Sequence, residues 1–233
     1  MANSIVFSFH NVSNNFNLGF NNIGKVKFDG ILSYLEKTYQ NPLICFDDAY
    51  LDVYHNTMSV SNNINKVIFP ITDYLGKMNS WDINFILNRK KHMSSYNILD
   101  MHSRGWQIGS HGHSHISYSK LDDKEIKEDL SISKNILEDL VGEEITIFTP
   151  PFGYINQKQL RIVSEVGYKT IFLNNCYIKD IEDECGLEVV ERVNIYSIDT
   201  IKSITRKSSN SMFYKNLENI IHKCSKLTVF FKR

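Results

Sequence analysis

The chain has 233 residues, 42% of them hydrophobic and 22% charged, which suits one large domain with a substantial buried core. Lysine plus arginine and aspartate plus glutamate both number 26, so no net charge advertises nucleic acid or an acidic membrane surface, and the expected partner is small or neutral. Cys45, Cys176, Cys185 and Cys224 form no C-x-x-C pair, which argues against a zinc ribbon or a thioredoxin-like site and for free thiols in a reducing compartment.

Met1 to His10 has no basic leader-like start, and no segment approaches the roughly 20 apolar residues of a membrane span, so the expectation is a cytoplasmic protein. Ile5 to Phe9 (IVFSF) reads as a buried strand delivering His10, followed by a long Asn-rich loop. Val26 to Tyr39 carries Phe28, Ile31, Leu32 and Leu35 at helical spacing. Leu43 to Phe46 is a second strand running into Asp47-Asp48, and Ala49 to Asn63 is expected to be helical. Lys66 to Ile71 is a third strand with Pro70 at its end. Trp81, Ile83, Phe85, Ile86 and Leu87 suggest a helical insertion over the top of the domain, with Arg89-Lys90-Lys91 as a solvated face.

Ile98 to Arg104 reads as a helix end capped by Gly105, and Trp106 to Gly109 as a strand. Leu121 to Val141 is the clearest amphipathic helix, ended by Gly142. Ile145 to Phe148 is a strand and Gln157 to Val166 a helix closed by Gly167. Lys169 to Leu173, Val189 to Tyr196 and Lys226 to Phe231 complete the strands, with helix after Thr200 and through Leu217 to His222. Alternating strands and helices favour a mostly parallel sheet, and polar clusters just after strands are where α/β barrels carry their sites. Residues 1–233 are read as one barrel-like domain.

Three clusters carry candidate chemistry. Ile108 to Leu121 (IGSHGHSHISYSKL) places His111, His113 and His115 within five residues. An i, i+4 pair, His111 and His115, can converge on one ion from a tight loop that Gly112 lets curl, and with Asp48 it makes three ligands with an open position for water. Were the stretch extended, all three histidines would share a face; a polar turn with solvated histidines is the plainer alternative. Asp47 and Asp48 point to opposite faces while in a strand, so one can ligate a metal while the other takes a proton from water, or both can simply complement a helix N-terminus. Pro150-Pro151-Phe152-Gly153 is a stiff turn beyond a strand, with aromatic Phe152 and Tyr154 suited to a sugar ring.

The ordered strings FDDA (Phe46 to Ala49), SHGHSH (Ser110 to His115) and TPPFG (Thr149 to Gly153), with FSFHNVS, GWQIGSH and EVGYKTIF around them, resemble the polysaccharide deacetylases of the NodB-homology type, carbohydrate esterase family 4. That resemblance implies a distorted seven-stranded (β/α) barrel and a divalent metal, usually Zn2+, held by Asp48, His111 and His115. It implies Asp47 as general base, the Tyr50 backbone N–H at the oxyanion, and Pro151, Phe152 and Gly153 as substrate wall. His113 falls to a supporting role beside the ligands. Three departures stand out: FDDG is FDDA, the arginine that often precedes the prolines is Thr149, and Leu227 to Phe231 lacks the histidine of the family's C-terminal motif. Arg192 is the candidate to replace the arginine and His10 the candidate to replace the histidine as general acid. The expected substrate is an N-acetylated amino sugar, nucleotide-linked, lipid-linked or oligomeric, handled in surface polysaccharide biosynthesis. Alternatives are a non-catalytic carbohydrate-binding protein on the same barrel and a three-histidine oxygenase or amidohydrolase-like barrel.

Overall fold

A computed structural model of the chain describes residues 5–15, 19–80, 89–153, 155–174 and 186–209. Val6–Phe9 (β1) alternates inward Val6 and Ser8 with outward Phe7 and Phe9, as a strand buried on both faces must. The Asn-rich loop beyond it contains two short strands that the sequence did not announce, Asn11–Val12 (β2) and Asn22–Ile23 (β3), paired parallel and fastened by Asn11 Nδ2 donating to Asn22 Oδ1 at 2.8 Å. Lys25–Thr38 (α1) buries the expected Phe28, Ile31, Leu32 and Leu35.

Leu43–Asp48 (β4) includes both aspartates. The helix expected over Ala49 to Asn63 is shorter, Leu51–Thr57 (α2), because Ala49 is left-handed and Tyr50 extended, and Thr57 Oγ1 turns back onto Val53 O where the helix stops. Asn65–Pro70 (β5), Ser95–Ser103 (α3) and Gln107–Ile108 (β6) follow. Asp123–Val141 (α4) starts in a reciprocal cap between Asp122 and Glu125 and ends at left-handed Gly142. Ile147–Phe148 (β7), Gln157–Glu165 (α5), Thr170–Asn174 (β8), Glu188–Asn194 (β9) and Ile201–Ser208 (α6) complete the described chain. The expected helical insertion around Trp81 to Leu87, the helix at Leu217 to His222 and the strand at Lys226 to Phe231 lie outside the described residues, as do Tyr154, Cys176, Cys185 and Cys224.

The basic run is more than a solvated face. Lys91 pairs with Met78 and His92 with Tyr50 in antiparallel bridges, and Lys90 Nζ sits 4.8 Å above the Tyr50 ring.

Seven strands form one parallel sheet in the order β6-β5-β4-β1-β9-β8-β7. A single bridge between Ser110 and Phe148 joins the two edges, with Ser110 N–H donating to Ile147 O at 2.9 Å and Thr149 N–H to Ser110 O at 3.0 Å. The result is a nearly closed (β/α) barrel, with β1 beside β9. Its interior is a small apolar cluster of Val6, Leu43, Cys45, Val67, Phe69 and Phe172, whereas the larger core lies between sheet and helices. Gly109 is required by this interior: a Cβ there would lie 2.3 Å from the Phe69 ring. No helix among the described residues is long and apolar enough to cross a membrane.

Candidate metal and catalytic site

Alternation along β4 carries Leu43, Cys45 and Asp47 to the barrel interior. Asp47 is there only 5% exposed and accepts a hydrogen bond from Arg192 Nη1 at 2.7 Å. Arg192 rises from β9, fully buried, and its Nη2 donates to Asn174 Oδ1 at 3.1 Å. Burial by itself would raise the Asp47 pKa, but the charge of Arg192, followed by His111 and His10, outweighs it, and the net shift is downward. Burial pulls the Arg192 pKa down and Asp47 pulls it up, with the rise prevailing.

Asp48 leaves the strand differently. It and Ala49 are both left-handed, at φ 67 and 50, a conformation that Asp adopts more readily than most but that costs an ordinary L-residue such as Ala49 about 1–2 kcal/mol. The turn sets Asp48 Oδ1 3.6 Å from His111 Nε2 and 3.4 Å from His115 Nε2. One ligand atom from each of the three buried residues lies within 4.8 Å of the others.

The histidine loop is shaped by a residue that sequence reasoning passed over. Asp129 of α4 accepts from His113 N–H at 2.9 Å, Ser114 N–H at 2.8 Å, Ser114 Oγ at 2.6 Å and Tyr118 Oη at 3.1 Å. Gly112, at φ 77, fits against that carboxylate because a Cβ would fall 2.7 Å from Asp129 Oδ2. The available signal was a carboxylate on the buried register of α4, between Ile126, Leu130 and Ser133. His111 Nδ1 lies 2.8 Å from Thr149 O; a carbonyl can only accept, so Nδ1 carries the proton and the Nε2 lone pair faces Asp48. Thr149 thus holds His111 and not Asp47.

These residues fit a divalent cation. Asp48 Oδ1 is buried with no hydrogen-bond partner, and the Nε2 atoms of His111 and His115 face it at 3.6 and 3.4 Å. A buried carboxylate oxygen left this way calls for a positive charge, and an Asp-His-His set leaves coordination positions open. His113 stands apart: its Nδ1 is 2.9 Å from Thr72 Oγ1, and it is absent from the cluster.

The remaining candidates line the mouth. His10 Nε2 lies 4.0 Å from Asp47 Oδ2 with its side chain 26% exposed. Burial, which penalises the charged imidazolium, lowers its pKa against the opposite pull of Asp47 and Asp48. The Tyr50–His92 pairing takes its hydrogen bonds from the neighbours, Leu51 N–H to Lys91 O and Met93 N–H to Ala49 O. Phe152, left-handed at φ 60, packs its ring 4.7 Å from that of His115, between buried Pro151 and Gly153.

A parallel barrel with this cluster at the C-terminal ends of its strands has a known counterpart, and the chain belongs to the polysaccharide deacetylase family: residues 37–171, more than half of its length, match the family model. Among curated relatives, the peptidoglycan-N-acetylglucosamine deacetylase of Bacillus cereus is 29% identical over 87 residues, 37% of this chain and 40% of that protein. The Bacillus subtilis protein YxkH, assigned by name to the polysaccharide deacetylases, is 24% identical over 128 residues, 54% of this chain and 42% of its own. Each match thus spans about two fifths of the relative's length. The fold is shared with the polysaccharide deacetylase BC0361 of Bacillus cereus, at TM-score 0.69 and 16% identity over 88% of this chain and 68% of that one. It is shared too with the Streptococcus pyogenes deacetylase PplD, at TM-score 0.71 and 13% identity over 88% and 97%.

Proposed function

We propose that the chain is a metal-dependent deacetylase that hydrolyses the N-acetyl group of an amino sugar during surface polysaccharide biosynthesis. The observation that carries this reading is the meeting of Asp48, His111 and His115 around one buried, unpartnered carboxylate oxygen, beside an ionised Asp47. The name of the Bacillus cereus relative supports an N-acetylglucosamine unit as the sugar. The substrate is nucleotide-linked, lipid-linked or oligomeric.

A divalent metal, with Zn2+ the first candidate, held by Asp48, His111 and His115 would polarise the acetyl carbonyl and acidify water. Asp47, fixed by Arg192, takes the proton of the attacking water. His10, whose pKa burial lowers, sets its Nε2 4.0 Å from Asp47 Oδ2. The proton accepted by Asp47 can pass through His10 to the departing amine, which leaves both residues as they began. The Tyr50 N–H donates to the carbonyl oxygen as negative charge develops. Pro151, Phe152 and Gly153 form a rigid wall for the sugar ring, while His113 and Thr72 brace the loop. The Arg192 contact keeps Asp47 ionised in its buried position, the form a general base requires.

The test is acetate release by the zinc-loaded chain from chitin oligomers, peptidoglycan fragments, and nucleotide- and lipid-linked N-acetylhexosamines. Release should require metal, and Asp48→Ala, His111→Ala and His115→Ala should each purify metal-poor and silent. A metal-bound wild type that releases acetate from none of these would overturn the activity, and near-stoichiometric metal in the three variants would overturn the ligand set.

A further inference from the structure

The turn at Asp48-Ala49 is the most strained backbone of the site, two successive L-residues in the left-handed region. Ala49 has neither the freedom of glycine nor the local hydrogen bonding of asparagine to ease it. A strand continued regularly through Asp48 would send that side chain outward, to the face of Ile44 and Phe46. The turn instead lets the carboxylate meet His111 and His115.

Both carbonyls of the turn are held by consecutive residues of one segment. His92 Nδ1 lies 2.7 Å from Asp48 O, which can only accept, so Nδ1–H donates. Met93 N–H donates to Ala49 O at 2.8 Å, and Leu51 N–H just beyond the turn donates to Lys91 O at 2.8 Å. His92 is 1% exposed, with its ring 4.8 Å from that of Tyr50 and 5.4 Å from that of Tyr74, so it cannot swing away. The segment is itself anchored: His92 N–H donates to Lys77 O at 2.9 Å and Gly76 N–H to Met93 O at 2.8 Å.

We propose that His92 is a positioning residue that clamps the left-handed Asp48-Ala49 turn and so sets the metal-binding geometry of Asp48, a role made necessary by alanine at position 49. The proposal rests on the reading of Asp48, His111 and His115 as a cation site.

The experiment is Zn2+ affinity by chelator competition, with folding of each metal-free variant checked by circular dichroism. His92→Phe keeps the ring packing and loses the donor, and should weaken binding about 10- to 100-fold, the range for residues that orient a metal ligand. His92→Gln retains a donor and should lose no more than about 10-fold, the lower edge of that range. In the Ala49→Gly background the turn holds itself, so adding His92→Phe should change affinity by no more than about two-fold, the scatter of independent sites. His92→Phe with wild-type affinity, or the same loss in both backgrounds, would overturn the clamp while leaving the metal site standing. A wild type that binds no Zn2+ would remove the site, and the clamp with it.

Discussion

Asp47 and Asp48 are neighbours in one strand, yet they lie in two regions that treat a carboxylate in opposite ways. The interior column below Asp47 supplies a full counter-charge: Arg192 donates to it at 2.7 Å and is itself tied to Asn174. The rim around Asp48 supplies shape without charge, through a strained turn, two imidazoles and an oxygen with no hydrogen bond. The column settles its electrostatics within the chain, whereas the rim leaves a buried carboxylate oxygen without a hydrogen bond. One strand can therefore carry two identical side chains to different tasks.

The sharpest way to probe the contrast is Asp47→Asn, which preserves shape and hydrogen bonding but accepts no proton. Acetate release should fall about 10²- to 10⁴-fold, with metal content by elemental analysis unchanged. A variant within a few-fold of wild type would move the base to another group.

The next effect separates the regions by stability. Arg192→Met leaves Asp47 buried without its partner and should cost about 3–5 kcal/mol in denaturant unfolding. Because the Asp47 pKa is depressed, its contribution is present above the ordinary carboxylate range and fades as pH falls through the folded value. The gap between wild type and variant should accordingly narrow below about pH 4. Asp48→Asn, measured without metal, should hold or gain stability while its metal uptake collapses, since it removes a buried charge that the rim does not answer. Equal losses in the two variants would erase the distinction.

The smallest effect concerns Cys45, which lies in the column with its sulfur 3.9 Å from Arg192 Nη1. Burial pushes its thiol up to about 12, so at pH 8 an alkylating reagent mapped by mass spectrometry should reach it only on unfolding. Labelling of the folded chain at the rate of a free thiol would mean that the column opens.

Much of the architecture was legible because local signals agreed with tertiary need. α4 has its cap, its apolar spacing and its terminal glycine, and β4 shows an apolar run ending in acids. The grouping of Asp48 with His111 and His115 was one of the arrangements that the ligand types and a loop glycine allowed, and the family resemblance implied it. Arg192 was named as a candidate because the family resemblance places an arginine where Thr149 stands, which left that support either absent or supplied from elsewhere in the chain. Asp129 and His92 were not read, for a common reason. Each works through backbone groups of a distant loop, and a lone acid in an amphipathic helix or a histidine after a basic run gives no hint of which backbone it will meet. β2 and β3 went unseen because two residues are too few to show a period.

The Arg192–Asp47 contact also has a consequence for the making of the protein. Its partners are separated by 145 positions, and β9 must dock between β1 and β8 before they can meet. Contacts this remote in sequence form late, after long loops have closed. Because Arg192 follows Asp47, Asp48 and the histidine loop in the chain, Asp47 gains its counter-charge only once β9 has paired. A sheet that stops short of β9 leaves the Asp47 carboxylate without its arginine.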